Sequence, residues 1–227
     1  MEEPPMAHDA LRRKLISVTR EMTRLGLNEG RAGNASVRAG QGFLLTPTGM
    51  ATAALKPADI VEMDFDGAAR GRRAPSSEWR FHGDILGARR EFGAVLHAHP
   101  PHGTALACLQ KPIPAFHYMV AVAGGDDIRC GAYATFGTKA LSRHALAALK
   151  GRKACLLANH GIIACGEDLD AALALAQEVE ALARQYLLAL AAGKPKILPA
   201  KEMAKLIQLF KSYGRQPEKT TGRGKRN

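Results

Sequence analysis

The chain has 227 residues and a mass of 24.3 kDa, a length that makes one domain or at most two. Hydrophobic residues make up 46% and charged residues 23%, so the chain can bury a core and is not wholly disordered. The net charge is +11, but +5 of it lies in residues 211–227, where six basic residues face Glu218 alone. Aromatics are only 5%, too few for the stacking platform of a single-strand binder, so no nucleic-acid partner is expected. The remaining basic excess suits an anionic small substrate, and a solvated basic face accounts for it equally well. No apolar run reaches the ~18 residues of a membrane span. The start, MEEPPMAHDALRRK, lacks the apolar stretch of a secretory signal. A cytoplasmic protein with no membrane partner is expected. The four cysteines, at 108, 130, 155 and 165, form no C-x-x-C pair and read as reduced, mostly buried small hydrophobes.

In chain order, Leu11, Leu15, Val18, Met22 and Leu25 recur at spacings of three and four and predict a helix over 8–25. Two short strands follow, at Ala35–Arg38 and Gly42–Thr46, joined by a Gly-containing turn. Residues 60–65 alternate apolar and acidic and read as a strand ending in Asp66-Gly67. Pro75 and Ser76 mark the start of a helix running to about Phe92, with Ser76 as N-cap. Ala94–Ala98 reads as a buried strand and Gly103–Leu109 as a helix. Tyr118–Ala123 and Cys130–Ala132 read as short strands, Thr138–Leu149 as a helix, and Lys153–Ala158 with Gly161–Cys165 as two strands around a tight turn. Asp168 caps a long helix whose stripe includes Leu169, Leu173, Ala176, Val179, Leu182, Ala183, Tyr186 and Leu190, stopped by Gly193 and Pro195. A last helix spans about Ala200–Tyr213. This alternation predicts a layered α/β domain.

His97 and His99 stand two apart at the end of an apolar strand and so share a face. His160 lies in the turn Asn159-His160-Gly161 after another apolar strand. Neighbouring strands would bring these turns together, and three converging imidazoles suit a divalent metal, zinc first; a lone His-x-His is a common chance pair. Glu78 falls in the first turn of a helix, where an acid also answers the helix dipole. Ser76 and Ser77 are caps or part of a phosphate site at that helix start. The loops Gly30-Arg31-Ala32-Gly33-Asn34 and Thr46-Pro47-Thr48-Gly49 have the glycines and hydroxyls of anion cradles, and also of ordinary turns. Tyr118, in His117-Tyr118-Met119, is a general acid or a core residue with its hydroxyl satisfied. No G-x-S-x-G, Walker loop or G-x-G-x-x-G occurs, so serine-nucleophile, P-loop and dinucleotide chemistry have no support.

The stretches GRAGNASVR, LLTPTGM, PSSEWRFH, VLHAHPPH, IPAFHYMVAVAGG, YATFGT and ANHGIIACG stand in an order that resembles the class II aldolase/adducin family, and within it the L-fuculose-1-phosphate aldolases. The resemblance covers roughly residues 8–213, and PSSEWRFH and YATFGT are its more specific segments. It implies one three-layer α/β/α domain over residues 1–213 with a central, largely antiparallel sheet, and a basic, flexible tail over 214–227. It implies a homotetramer with sites at subunit interfaces. One zinc ion per subunit would be held by His97, His99 and His160, with Glu78 as a displaceable ligand. The substrate phosphate would sit on Gly33, Asn34, Thr48, Gly49, Ser76 and Ser77. Phe136 would line the aldehyde pocket, Tyr118 would arrive from a neighbouring subunit, and Tyr213 would close over the site.

The implied reaction is reversible cleavage of a ketose 1-phosphate, of the L-fuculose 1-phosphate type, to dihydroxyacetone phosphate and a small aldehyde such as L-lactaldehyde. Glu78 would move the carbon-bound proton and Tyr118 the proton on the aldehyde oxygen. The alternatives are 5-deoxyribulose 1-phosphate or 5-(methylthio)ribulose 1-phosphate as substrate, or a sugar-phosphate dehydratase or epimerase on the same fold. An adducin-like interaction protein without catalysis is disfavoured by the intact histidines and Glu78. One departure stands out. The family's phosphate loop usually reads Gly-Thr-Ser-Gly-Asn, and Arg31 here replaces a hydroxyl with a guanidinium.

Overall fold

The structure is a computed structural model and describes residues 7–211. Tyr213 and the basic tail lie outside the described residues. Strands β1 (Asn34–Ala39), β2 (Gly42–Leu45), β3 (Val61–Met63), β4 (Ala69–Arg70), β5 (Ala94–Ala98), β8 (Cys130–Gly131), β9 (Ala154–Leu157) and β10 (Gly161–Gly166) form one sheet in the order β4-β3-β2-β1-β5-β10-β9-β8. Every pairing is antiparallel except β8 with β9. Two further short strands, β6 (Ile113–Pro114) and β7 (Asp127–Ile128), pair with each other.

Alternation along the central strands builds two cores. Ala35, Val37, Leu96, Ile162 and Ala164 face helices α1 (Asp9–Arg24), α3 (Pro101–Cys108), α5 (Leu169–Ala192) and α6 (Ala200–Phe210). Val95, Cys155, Ile163 and Cys165 face the opposite way, onto α2 (Trp79–Ala88) and α4 (Lys139–Ala148). The result is the three-layer α/β/α arrangement with a largely antiparallel sheet.

Several predicted boundaries shift for physical reasons. Residues 118–123 form a 3-10 helix rather than a strand. His117 Nδ1 accepts the Met119 N–H at 3.3 Å, and Val120, Ala121 and Ala123 are the buried positions. Helix α2 begins at Trp79 with Glu78 at the N-cap, so Ser76 is not the cap residue. It ends at Ala88 instead of Phe92 because Arg89 leaves helical geometry. The Arg89 guanidinium lies over the Phe92 ring at 4.5 Å and donates to the Leu149 carbonyl at 2.7 Å, tertiary contacts that override local propensity. Helix α3 starts two residues before Gly103, with Pro101 in its first turn, where a missing N–H does no harm. Of the cysteines, Cys155 and Cys165 are buried, Cys130 is half-buried and Cys108 is exposed. No described helix is long and apolar enough to cross a membrane.

Candidate active site

The centre of the sheet positions three imidazoles. His97, on β5, lies in register between Asn34 of β1 and Ile163 of β10. Its Nδ1 is 2.9 Å from the Ile162 carbonyl oxygen. A carbonyl only accepts, so Nδ1 carries the proton and Nε2 offers its lone pair. His99 follows the strand, and its backbone N–H donates to Asn28 Oδ1 at 3.2 Å. His160 sits in the turn from β9 to β10, entered through Asn159 at a φ of 54°, a conformation asparagine tolerates. The neighbouring Gly161 admits the His99 ring, since a Cβ there would fall 2.6 Å from His99 Cδ2. The candidate ligand atoms of His97, His99 and His160 all lie within 4.8 Å of one another.

Glu78 reaches this cluster through the loop ahead of α2. Pro47 bridges Pro75, Ser76 N–H donates to the Thr46 carbonyl at 3.1 Å, and Thr48 N–H donates to the Ala74 carbonyl at 3.1 Å. These contacts set Thr48 and Gly49 beside Ser76 and Ser77. Ser76 Oγ accepts the Glu78 N–H at 3.3 Å. The Thr46 hydroxyl is spent inside the fold, accepting the Ala35 N–H at 3.2 Å. Glu78 Oε2 then lies 3.2 Å from His97 Nε2, and Oε1 lies 3.2 Å from His160 Nε2.

Burial pushes the His97 imidazolium down to about 3, helped by the charge of His99. Burial and the neighbouring His97 push His160 down to about 4, and burial lowers His99 as well. The rings are therefore neutral at neutral pH, and the Glu78 contacts are not ion pairs. What remains is a cluster of neutral ring nitrogens around one carboxylate. His97 Nε2 faces His99 Nε2 at 2.9 Å, and buried Glu78 Oε1 has no hydrogen-bond partner. A His99 proton on Nε2 makes that contact a hydrogen bond; moved to Nδ1, it leaves both ring nitrogens and Glu78 Oε1 open to a cation. Three neutral imidazoles and a carboxylate are the donor set of a divalent metal, so the residues fit one.

The cluster opens into a cleft of about 380 Å³. Gly33, Asn34, Thr48, Gly49, Ser76, Ser77, Glu78, His99, Phe136 and His160 all line it, and so does Arg31. His97 is fully buried behind them. Asn34 departs from a simple phosphate contact. Its Nδ2 donates to Glu78 Oε2 at 2.9 Å, and its Oδ1 is 2.5 Å from His82 Nε2. Tyr118 does not line this cleft. Its exposed ring stacks on Phe210, with centroids 6.4 Å apart.

Sequence reasoning passed over Asn28, Ser36 and His82. His82 is fully buried and Ser36 Oγ lies 2.7 Å from its Nδ1. The signal was present as spacing: Glu78 and His82 are four apart on a helix, and Asn34 and Ser36 two apart on a strand.

Residues 13–187 match the family described as the Class II Aldolase and Adducin N-terminal domain. The chain belongs to the class II aldolase/adducin family. It is 61% identical over 210 residues to the 5-methylthioribulose-1-phosphate/5-deoxyribulose-1-phosphate aldolase of Rhodospirillum rubrum, covering 92% of this chain and 95% of that protein. It is 49% identical over 210 residues to the L-fuculose phosphate aldolase of Escherichia coli K12, covering 92% and 98% respectively. A solved L-fuculose 1-phosphate aldolase superposes with a TM-score of 0.88 at 42% identity, over 91% of this chain and 98% of that one. The chain is thus a class II aldolase, a metal-dependent aldehyde-lyase.

Proposed function

We propose that this aldolase cleaves a ketose 1-phosphate to dihydroxyacetone phosphate and an aldehyde, with 5-deoxyribulose 1-phosphate and 5-(methylthio)ribulose 1-phosphate as its substrates. The observation that carries the reaction class is one cleft joining the His97–His99–His160–Glu78 cluster to the loops of Gly33, Thr48, Gly49, Ser76 and Ser77. The choice of sugar rests on the 61% identity to the Rhodospirillum rubrum aldolase, and it moves the L-fuculose 1-phosphate type to second place. That second reading keeps the 49% identity in its favour.

His97, His99 and His160 would hold zinc, with Glu78 as the displaceable fourth ligand. When bound, the metal supplies a Lewis acid for the negative charge that develops on the substrate's carbonyl oxygen. The phosphate would lie against Thr48, Gly49, Ser76 and Ser77 at the positive end of α2, with the backbone at Gly33. Asn34 has a second N–H beyond the one given to Glu78, and this can reach a phosphate oxygen. Arg31 on the cleft wall adds charge where the family usually has a hydroxyl.

Glu78 takes the proton from the carbon of dihydroxyacetone phosphate in the synthetic direction and returns it in cleavage. In cleavage the substrate's C4 hydroxyl gives up its proton as the C3–C4 bond breaks and the aldehyde leaves. Tyr118 handles that proton. Since Tyr118 does not line its own chain's cleft, the role requires a second copy of the chain, and a homotetramer with sites at subunit contacts provides one. Phe136, exposed on the cleft wall, would face the departing aldehyde.

The test is a screen of ketose 1-phosphates with coupled detection of dihydroxyacetone phosphate, beside deuterium wash-in at its C3 by NMR. Glu78→Gln should abolish both reactions. Tyr118→Phe should spare exchange and slow cleavage by roughly 10²–10⁴. Loss of exchange in both variants alike would refute the division of roles. Release of water from a pentulose phosphate, with neither exchange nor cleavage, would instead make this a dehydratase.

A further inference from the structure

We propose that His82, which does not line the cleft, is a positioning residue that fixes the Glu78 carboxylate through Asn34, so that Oε2 is held and Oε1 is left free to move the substrate's proton. The inference rests on the reading of Glu78 as the group that transfers the carbon-bound proton.

A carboxylate only accepts, so Asn34 must present Nδ2 to Glu78 Oε2, at 2.9 Å. That turns Asn34 Oδ1 toward His82 Nε2, 2.5 Å away, and an amide oxygen also only accepts. His82 Nε2 therefore carries the proton. Burial pushes the His82 imidazolium well below its usual range, so the ring is neutral and its Nδ1 is bare. The Ser36 hydroxyl, 2.7 Å from Nδ1, must then donate. Each link leaves the next a single orientation, and the chain ends at Glu78.

The arrangement separates the two carboxylate oxygens. Oε2 is tied to Asn34, whereas Oε1 has no hydrogen-bond partner and faces His160. An oxygen without a donor is the better proton acceptor. Backbone placement makes the link rigid: His82 stands one helical turn after Glu78 on α2, and Asn34 and Ser36 lie on one face of β1. A purely space-filling role needs none of this, because an aliphatic side chain would fill the position without burying two ring nitrogens. Without the His82 donor, Asn34 is free to turn its amide, and Glu78 loses the contact that fixes Oε2. A carboxylate displaced by about 1 Å is expected to slow the proton step about 10²-fold.

The test compares His82→Gln, whose amide N–H can stand in for Nε2–H, with His82→Leu. His82→Leu should lower kcat for both C3 exchange and cleavage about 10²-fold, with KM and metal content unchanged. His82→Gln should recover most of that loss. A long-range 1H–15N correlation spectrum of the metal-free wild type, assigned with His82→Gln, should show His82 neutral with its proton on Nε2. If His82→Leu does not fold, Ser36→Ala takes its place and should weaken that tautomer while lowering kcat more modestly. A proton on Nδ1, a loss confined to KM or to metal content, or equal defects in the two His82 variants would overturn the proposal. A wild type without exchange or cleavage would defeat the reading of Glu78, while the tautomer would still show whether His82 donates to Asn34.

Discussion

Gly33→Ala probes how the cleft loop and the metal cluster share one support. Gly33 adopts a φ of +76°, and a Cβ there would overlap the Asn28 carboxamide. Asn28 is buried at 2% exposure, its Nδ2 has no partner, and its Oδ1 holds the His99 N–H at 3.2 Å. The substitution therefore adds left-handed strain of about 1 kcal/mol and displaces Asn28. Displacement leaves the His99 N–H unpaired, worth about 1–3 kcal/mol. A total of about 2–4 kcal/mol is expected in urea unfolding of the metal-free protein, with weaker metal binding because His99 moves. Adding Asn28→Ala removes the overlapping carboxamide, so the double variant should be less destabilised than the sum of the single ones by at least about 1 kcal/mol. Additive losses within about 0.5 kcal/mol, or wild-type metal affinity in Gly33→Ala, would refute the coupling.

Protein purified without chelator should carry about one divalent cation per chain by elemental analysis, and His97→Ala should lose most of it while keeping the far-UV spectrum. Full cleavage activity in a metal-free preparation would sink the assignment. A second prediction concerns pH. Burial raises the Asp59 carboxyl, but bonds from Arg73, the Lys56 N–H and Arg72 outweigh it and leave it below the usual range. A lowered carboxylate stabilises the fold above its unfolded pKa, and that contribution disappears as pH falls through the folded value. Asp59→Asn should thus lose about 2 kcal/mol at pH 7, with the gap to wild type closing in acid; a gap constant from neutral to acid pH would contradict it.

The layers were legible because the central strands are short apolar runs and the long helices carry apolar stripes. Val95 and Leu96 on adjacent positions of β5 serve opposite cores, and the sequence there is apolar on both faces. The errors fell where chain-neighbour patterns compete with distant contacts. Residues 118–123 are a short continuous apolar run that reads as a buried strand, yet they coil into a 3-10 helix beneath the His117 cap. The end of α2 depends on carbonyls of the loop after α4, which Arg89 reaches only once the chain has folded.

The site divides along the same line. The candidate ligands were legible as a set: a His-x-His at a strand end is a common chance pair alone, and it gained weight from a third histidine in a glycine turn and from the order of the surrounding motifs. The residues that aim those ligands were not legible in this way. His82 sits on the buried face of α2 beside Phe81, Ile85 and Leu86, where a histidine reads as one more core residue. Its meaning comes from Asn34 and Ser36, 48 and 46 positions earlier, and from a strand register that no local pattern encodes. Asn28 is hidden in the same way, since its partner is a backbone N–H 71 positions away. Both act on the candidate ligands from outside the cleft. In this fold the candidate metal-holding residues are written in short motifs, and their orientation is written in pairs that only the sheet brings together.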